Sequence, residues 1–158
     1  MDTVELSQQY FLEDMTEVIL DIYQIDSLMY PILDSIIEKV LACPQNLNQQ
    51  IGFVFSIDDK LSKKFSIFNT IYTNAQYYLD YKGIFYYKGY QFGIYNDSNF
   101  NYLKKLNQKA KVFSISNEKF PTWYQDYKFD SFWVYSLKNG QFECTELKFC
   151  GAFIRKES

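Results

Sequence analysis

The sequence predicts an α+β protein: an N-terminal helical hairpin (residues 1–43) packed on a largely antiparallel sheet of about six or seven strands (51–155), with one further short helix near 98–108. Apolar residues recur with helical spacing through the first forty positions, and the apolar period changes to two after residue 51. Two turn-forming pairs, Lys88-Gly89 and Asn139-Gly140, each lie between two segments whose residue pattern predicts strands. With 158 residues, the chain fits a single domain, 1–158.

Two helices are expected in the N-terminal hairpin. The first covers residues 3–24, where apolar side chains follow spacings of three, four and seven: Val4, Phe11, Met15, Val18, Ile22 and Ile25. The second runs from about Ser27 or Tyr30 to Ala42, and Pro44 stops it. Both helices have an apolar face that needs the sheet as a packing partner.

Strand segments follow a polar connector at residues 45–50. Their apolar and aromatic alternation places them at Ile51–Ile57, Phe65–Tyr72, Ile84–Tyr87, Tyr90–Tyr95, Val112–Ser116, Phe132–Leu137 and Phe142–Leu147, with a last candidate at Phe149–Ile154. The short helix is expected between the fourth and fifth of these, with Phe100, Leu103 and Leu106 facing inward. Asn139-Gly140 accepts the two positive φ angles of a type I′ turn, so the sixth and seventh segments form a hairpin.

Charge is distributed unevenly along the chain. The first forty residues hold nine acidic side chains and one lysine, whereas the remaining residues hold ten acids and fifteen bases. The net charges of the two parts are therefore −8 and +5, and the whole chain carries −3. A segment that keeps so much like charge either pairs it within the molecule or presents it to a basic partner.

An acidic ridge is the first candidate for a partner-binding surface. Glu13, Glu17 and Asp21 are four residues apart on the expected first helix, with Asp14 beside them, and Asp34 and Glu38 repeat the spacing on the second. Like charges at this spacing destabilise a helix slightly, so the ridge adds nothing to helix stability. Three interpretations stay open: a docking surface for a basic protein, a face exposed to solvent, or pairing with the lysines Lys60, Lys63, Lys64, Lys104, Lys105, Lys109 and Lys111.

Aromatic residues crowd into an expected loop over 117–130, which contains Pro121. The loop holds Phe120, Trp123, Tyr124, Tyr127 and Phe129. Exposed, these rings would anchor a partner, with Trp123 and Tyr124 as the contact residues. Folded back, they would cover the end of the sheet, because five large exposed aromatics favour aggregation. Both interpretations are retained.

Several chemistries are not supported by the residue types present. The chain has no histidine, and its three cysteines lack metal-ligand spacing, so we expect no metal, no cofactor and no enzymatic activity. Free thiols, no signal sequence and no continuous apolar span indicate a cytoplasmic protein without a membrane segment. The aromatic segment 85–95 could stack nucleic-acid bases or sugars, but a single arginine and an isoelectric point near 5.0 argue against nucleic-acid binding, and no further feature supports sugar binding there.

In size, charge layout and absence of catalytic residues, the chain resembles bacterial immunity proteins and phage-encoded inhibitors. The resemblance implies a non-catalytic antagonist that neutralises a basic, nuclease-type toxin domain through the acidic surface. The alternative is a structural or adaptor protein that self-associates through a sheet edge or the aromatic loop as a homo-oligomer. The sequence does not identify the partner or the oligomeric state.

Overall fold

The computed structural model describes residues 15–46, 50–58, 63–72, 81–115 and 129–154. Within these ranges the chain forms one mixed sheet of nine strands and one α-helix. The strands are β1 (Met15–Ile25), β2 (Gln50–Ile57), β3 (Lys64–Tyr72), β4 (Gly83–Tyr87), β5 (Tyr90–Tyr95), β6 (Leu103–Ile115), β7 (Phe129–Lys138), β8 (Gln141–Phe149) and β9 (Ala152–Phe153). The helix α1 spans Tyr30–Leu41, between short 3-10 turns at Ser27–Met29 and Pro44–Asn46.

The order of strands in the sheet is β6-β1-β4-β5-β2-β3-β7-β8-β9. The β4–β5 hairpin lies between β1 and β2 and pairs in parallel with both, since Ile22 is opposite Ile84 and Phe53 is opposite Phe92. The expected largely antiparallel sheet of six or seven strands is therefore wrong. The difference arises because β1 and β2, which are joined through α1, are not neighbours in the sheet. The β4–β5 hairpin, which comes later in the chain, lies between them.

The N-terminal helical hairpin is also wrong. Residues 15–25 form strand β1, and the rest of the expected first helix, residues 3–14, lies outside the described ranges. Val18, Leu20 and Ile22 alternate on one face of this strand, so the spacing of Val18 and Ile22 suits both a helix and a strand. The β-branched residues favour the strand, and the acids of β1 gain lysine neighbours there that a helix would not provide. The second expected helix is confirmed as α1.

The short helix expected near 98–108 is wrong as well. From Leu103 onward the chain is the long strand β6, and residues 112–115 of the strand expected at 112–116 are the end of this same element, with residue 116 outside the described ranges. Leu103 and Leu106 are three residues apart, as in a helical turn, but Leu103 pairs across strands with Ile25 of the core. Long-range pairing with β1 therefore overrides the local pattern.

The two expected hairpins are confirmed. Strands β4 and β5 are joined by Lys88-Gly89, with φ angles of 50° and 82°, and β7 and β8 by Asn139-Gly140, with φ angles of 51° and 78°. Positive φ at both central residues is the geometry of a type I′ turn, whose twist matches that of the flanking strands. These turns fix the register of both hairpins.

Helix α1 packs on one face of the sheet. Leu33, Ile36 and Val40 of the helix are buried against a layer of aromatic rings from five strands: Phe53, Phe55, Phe65, Phe85, Phe92 and Trp133. The rings stack from strand to strand, with centroids 4.6 Å apart for Phe53 and Phe92. On the opposite face, a smaller cluster buries Leu20, Val54, Tyr81 and Ile84. The sheet is thus apolar on both faces near its centre.

A disulfide connects the end of the helical region to the far edge of the sheet. Cys43, two residues after α1, is bonded to Cys150 in the β8–β9 turn, with Cα atoms 5.4 Å apart. Cys144 is free and exposed. The expectation of free thiols is therefore wrong for Cys43 and Cys150 and confirmed for Cys144. Disulfides of this kind are typical of oxidising compartments, and the finding gives no support to the cytoplasmic location expected from the cysteines.

Candidate binding surface: the β1–β6 ribbon and the cleft at its end

The acidic residues of β1 lie opposite lysines of β6. The two strands pair antiparallel from Met15 opposite Ile115 to Ile25 opposite Leu103, with one register shift between Asp21 and Tyr23, and we call this pair the β1–β6 ribbon. Asp21 is opposite Lys109 in this register. Cross-strand pairs of opposite charge stabilise a sheet, so β1 and β6 neutralise part of each other's charge.

Asp21 is the best-paired carboxylate of the expected ridge. Its Oδ1 lies 2.8 Å from Lys109 Nζ and its Oδ2 lies 3.2 Å from Lys105 Nζ. Hydrogen bonds from Lys109 and then Lys105 lower the pKa of the Asp21 carboxyl from its ordinary value of 3.8. Glu17 has a longer contact, 3.8 Å, with Lys111. The internal-pairing interpretation of the ridge is therefore confirmed for both acids.

The two acids of α1 lie elsewhere. Asp34 Oδ1 is 2.7 Å from Lys88 Nζ and accepts a hydrogen bond of 2.7 Å from the Tyr87 hydroxyl. Hydrogen bonds from Lys88 and then Tyr87 lower the pKa of Asp34, while burial, followed by the bond to Asp34, raises the pKa of Tyr87. Glu38 is exposed, with no ion pair among the described residues.

The structure does not bring the sequence-predicted residues together. The carbonyl of Asp21 lies beside Gly83 at the start of β4, whereas Asp34 contacts Tyr87 at the end of the same strand. Four residues along a strand correspond to about 13 Å. Glu13, Asp14, Trp123 and Tyr124 lie outside the described residues. Glu17 and Asp21 therefore form one paired group, Asp34 belongs to another, and the described acids do not form one continuous ridge.

The outer edge of β6 is the more distinctive surface. Among the described strands β6 pairs with β1 alone, so one side of this 13-residue strand carries backbone N–H and C=O groups without a strand partner. Its sequence contains Lys104, Lys105, Lys109 and Lys111 and no acid. With Glu17 and Asp21 counted, the ribbon retains a net charge of +2. This edge was not singled out from the sequence, because its first half was assigned to a helix.

A cleft of about 300 Å³ lies at the end of the ribbon, where β1 meets the turn into α1. Its walls come from the end of β1, the turn, the start of α1 and the start of β6: Gln24, Ile25, Asp26, Ser27, Tyr30, Asn101, Tyr102, Leu103 and Lys104. The volume is at the lower end of the range for small-ligand sites. No local motif marks these residues, since the turn and the start of β6 are more than seventy positions apart in sequence.

The polar side chains at the end of β2 have structural partners. Both carboxylate oxygens of Asp58 accept hydrogen bonds, one from Ser56 at 3.0 Å and one from Ser66, and the Asn96 side chain donates to Ser56. Phe85 and Phe92 of the aromatic hairpin are buried in the core, so they form no open stacking platform. Within the described ranges, no group of three potential metal ligands is found. No helix in those ranges has the length and apolar character needed to cross a membrane.

No protein-family model, curated protein or solved structure matches this chain. Function is therefore inferred from the surface chemistry of the described residues.

Proposed function

We propose that the protein is a non-catalytic protein-binding protein that takes an extended, acidic segment of its partner as an additional strand on β6. The observation that carries this proposal is the outer edge of β6, where backbone groups without a partner among the described strands occur together with four lysines in 13 residues. Main-chain hydrogen bonds to a sheet edge supply affinity in such complexes, and side chains supply specificity. A row of lysines would select a segment of opposite charge.

The lysines also argue against pairing of two copies through this edge. An antiparallel β6–β6 contact would place lysine rows beside each other, and like charges across strands are destabilising. Lysines on an edge strand are a known protection against edge-to-edge association. An acidic segment would convert this repulsion into attraction, so the same residues give selectivity.

In this proposal the acidic residues of β1 do not contact the partner themselves, whereas the hypothesis from the sequence gave them that contact. Asp21 holds Lys105 and Lys109 in place across the ribbon and leaves Lys104 with no ion pair among the described residues. Neutralisation of a toxin-like basic domain, and self-association of the chain, both stay predictions. In the proposed arrangement the β1 carboxylates position the lysines, and the partner supplies the acids.

The test uses a peptide of alternating glutamate and valine, capped at both ends, with an alternating lysine and valine peptide for comparison. We expect amide hydrogen exchange of β6 to slow with the acidic peptide only. Reversing Lys104 and Lys111 to glutamate should lower the association rate about tenfold at low salt, with the difference shrinking as salt is added.

The matched control is the double reversal of Lys39 and Lys82, two exposed lysines outside the ribbon, which changes the net charge by the same amount. This control should bind the acidic peptide as the unmodified protein does. Equal losses in both double variants would show a general charge effect and reject β6 as the contact. If the amides of β6 exchange slowly in the protein without peptide, and light scattering gives the mass of a dimer, the strand added to β6 comes from a second copy of the chain.

A further inference from the structure

The cleft at the end of the ribbon has two aromatic walls that are fixed by packing. The Tyr102 ring lies 5.2 Å from the Phe100 ring and 5.7 Å from the Phe142 ring, measured between centroids. The Tyr30 ring lies 4.9 Å from that of Tyr87, whose hydroxyl is bonded to Asp34. Rings with such neighbours lose little further freedom when a ligand arrives.

Asp26, which also lines the cleft, is held by three hydrogen bonds to backbone groups. Its backbone N–H donates to the Tyr102 carbonyl at 2.8 Å, its carbonyl accepts from Met29 N at 2.9 Å, and its Oδ1 accepts from Leu28 N at 2.8 Å. These bonds hold the carboxylate in place within the cleft. The second carboxylate oxygen, Oδ2, has no hydrogen-bond donor among the described residues.

The polar groups of the cleft are mixed in kind and balanced in charge. Asp26 and Lys104 contribute one charge of each sign, and Gln24, Ser27 and Asn101 add amide and hydroxyl groups that can both donate and accept hydrogen bonds. A ligand of either net charge would meet one attractive and one repulsive group. The lining therefore matches a neutral ligand that carries several groups able to donate and accept.

We propose that this cleft binds a neutral saccharide unit. A sugar ring has an apolar C–H face that can lie on a tyrosine ring, and its hydroxyl groups each donate and accept, as the lining requires. A cleft of about 300 Å³ accommodates a ligand at the small end of the usual range. This binding site does not depend on the strand-addition role of β6, although Leu103 and Lys104 border both.

The test is NMR titration of the full chain with glucose, galactose, N-acetylglucosamine and their disaccharides. We expect millimolar binding of at least one of them, with shift changes at Gln24, Asn101 and Tyr102. Tyr30→Ala should weaken binding about tenfold, because one aromatic wall is lost. Asp26→Asn should also weaken it, and since asparagine caps a helical turn as well as aspartate, the turn itself should persist.

Tyr86→Ala is the matched control, because Tyr86 is an exposed tyrosine on β4 that does not line the cleft. This variant should bind as the unmodified protein does. Absence of shift changes in the cleft with every sugar would overturn the proposal, and so would changes confined to another surface. Adenosine, uridine and glucuronate are included as comparison ligands, and tighter binding of any of them would refute the neutral-saccharide assignment.

Discussion

Individual side chains in this protein are paired across long distances in the sequence. Asp21 reaches Lys109 through strand pairing, and Asp34 reaches Tyr87 from the helix to the sheet. The sequence showed an excess of acids before residue 40 and of lysines after it, and it left internal pairing open. It could not assign the partners, because each pair depends on a strand register that local spacing does not contain.

Asp21→Asn should change how stability depends on pH. Because the pKa of Asp21 is lowered in the folded protein, the carboxylate contributes stability above its unfolded value near 4, and this contribution is lost as pH falls through the lowered pKa. The variant should therefore be less stable than the unmodified protein at pH 7, and the two should converge at acidic pH. Urea unfolding across pH measures the difference.

Glu38→Gln is the control for this measurement, since Glu38 is exposed on α1 and has no ion pair among the described residues. It should follow the unmodified protein at every pH. A stability difference for Asp21→Asn that persists unchanged at low pH would mean that the substitution acts by another route.

At the scale of secondary-structure elements, turn-forming residue pairs predicted the observed structure more accurately than the spacing of apolar residues did. Lys88-Gly89 and Asn139-Gly140 specify their hairpins through positive φ angles that few residues accept. In contrast, Val18 and Ile22 satisfy helical and strand periods at once, and pairing of β1 with β6 and β4 decides for the strand. Helix α1 was predictable because Leu33, Ile36, Ile37 and Val40 fit one helical face and no alternating pattern.

Two glycines allow rings to lie directly on the sheet. A Cβ at Gly93 would collide with the Tyr81 ring on one face, and a Cβ at Gly83 would collide with the Tyr23 ring on the other. Strand glycines often mark such close approaches. Ring packing thus explains the glycines at positions 83 and 93 of the central β4–β5 hairpin. The sequence alone does not show this packing, because the two rings come from other parts of the chain.

Gly93→Ala should destabilise the protein by about 1–3 kcal/mol or more, because the buried Tyr81 ring must move. In a Tyr81→Ala background the same substitution should cost less, since the space is then open. Denaturant unfolding of the four proteins gives the coupling energy, expected to be about 0.5–3 kcal/mol. An equal cost of Gly93→Ala in both backgrounds would show that the ring contact is not the cause.

At the scale of the whole molecule, the disulfide joins parts that the hydrophobic core alone connects only indirectly. Cys43 follows the helix and Cys150 lies between the last two strands, 107 positions later. The odd number of cysteines and their wide separation gave no framework from which this pairing could be read in the sequence. The candidate surfaces show the same limitation, because the β6 edge and the cleft exist only after β1 and β6 have paired.

Cys43→Ser with Cys150→Ser should lower the free energy of unfolding by about 2–5 kcal/mol, because the unfolded chain is then no longer cross-linked. Reduction of the unmodified protein should have the same effect. Thiol titration of the folded, oxidised protein should give one reactive group, Cys144, and Cys144→Ser should leave stability unchanged. Three reactive thiols in the protein purified without reductant would contradict the disulfide.

The disulfide also closes the chain between the two cysteines into a covalent ring, which changes how the protein responds to a pulling force. If the chain is pulled from its ends, the tension bypasses the chain between Cys43 and Cys150, which are 107 positions apart. At 3.3–3.6 Å per extended residue, the chain inside the ring has a contour length of about 350–385 Å, and the applied force cannot extend it until the disulfide is reduced. Most of the sheet would then resist stretching, even after the tails outside the ring are fully extended.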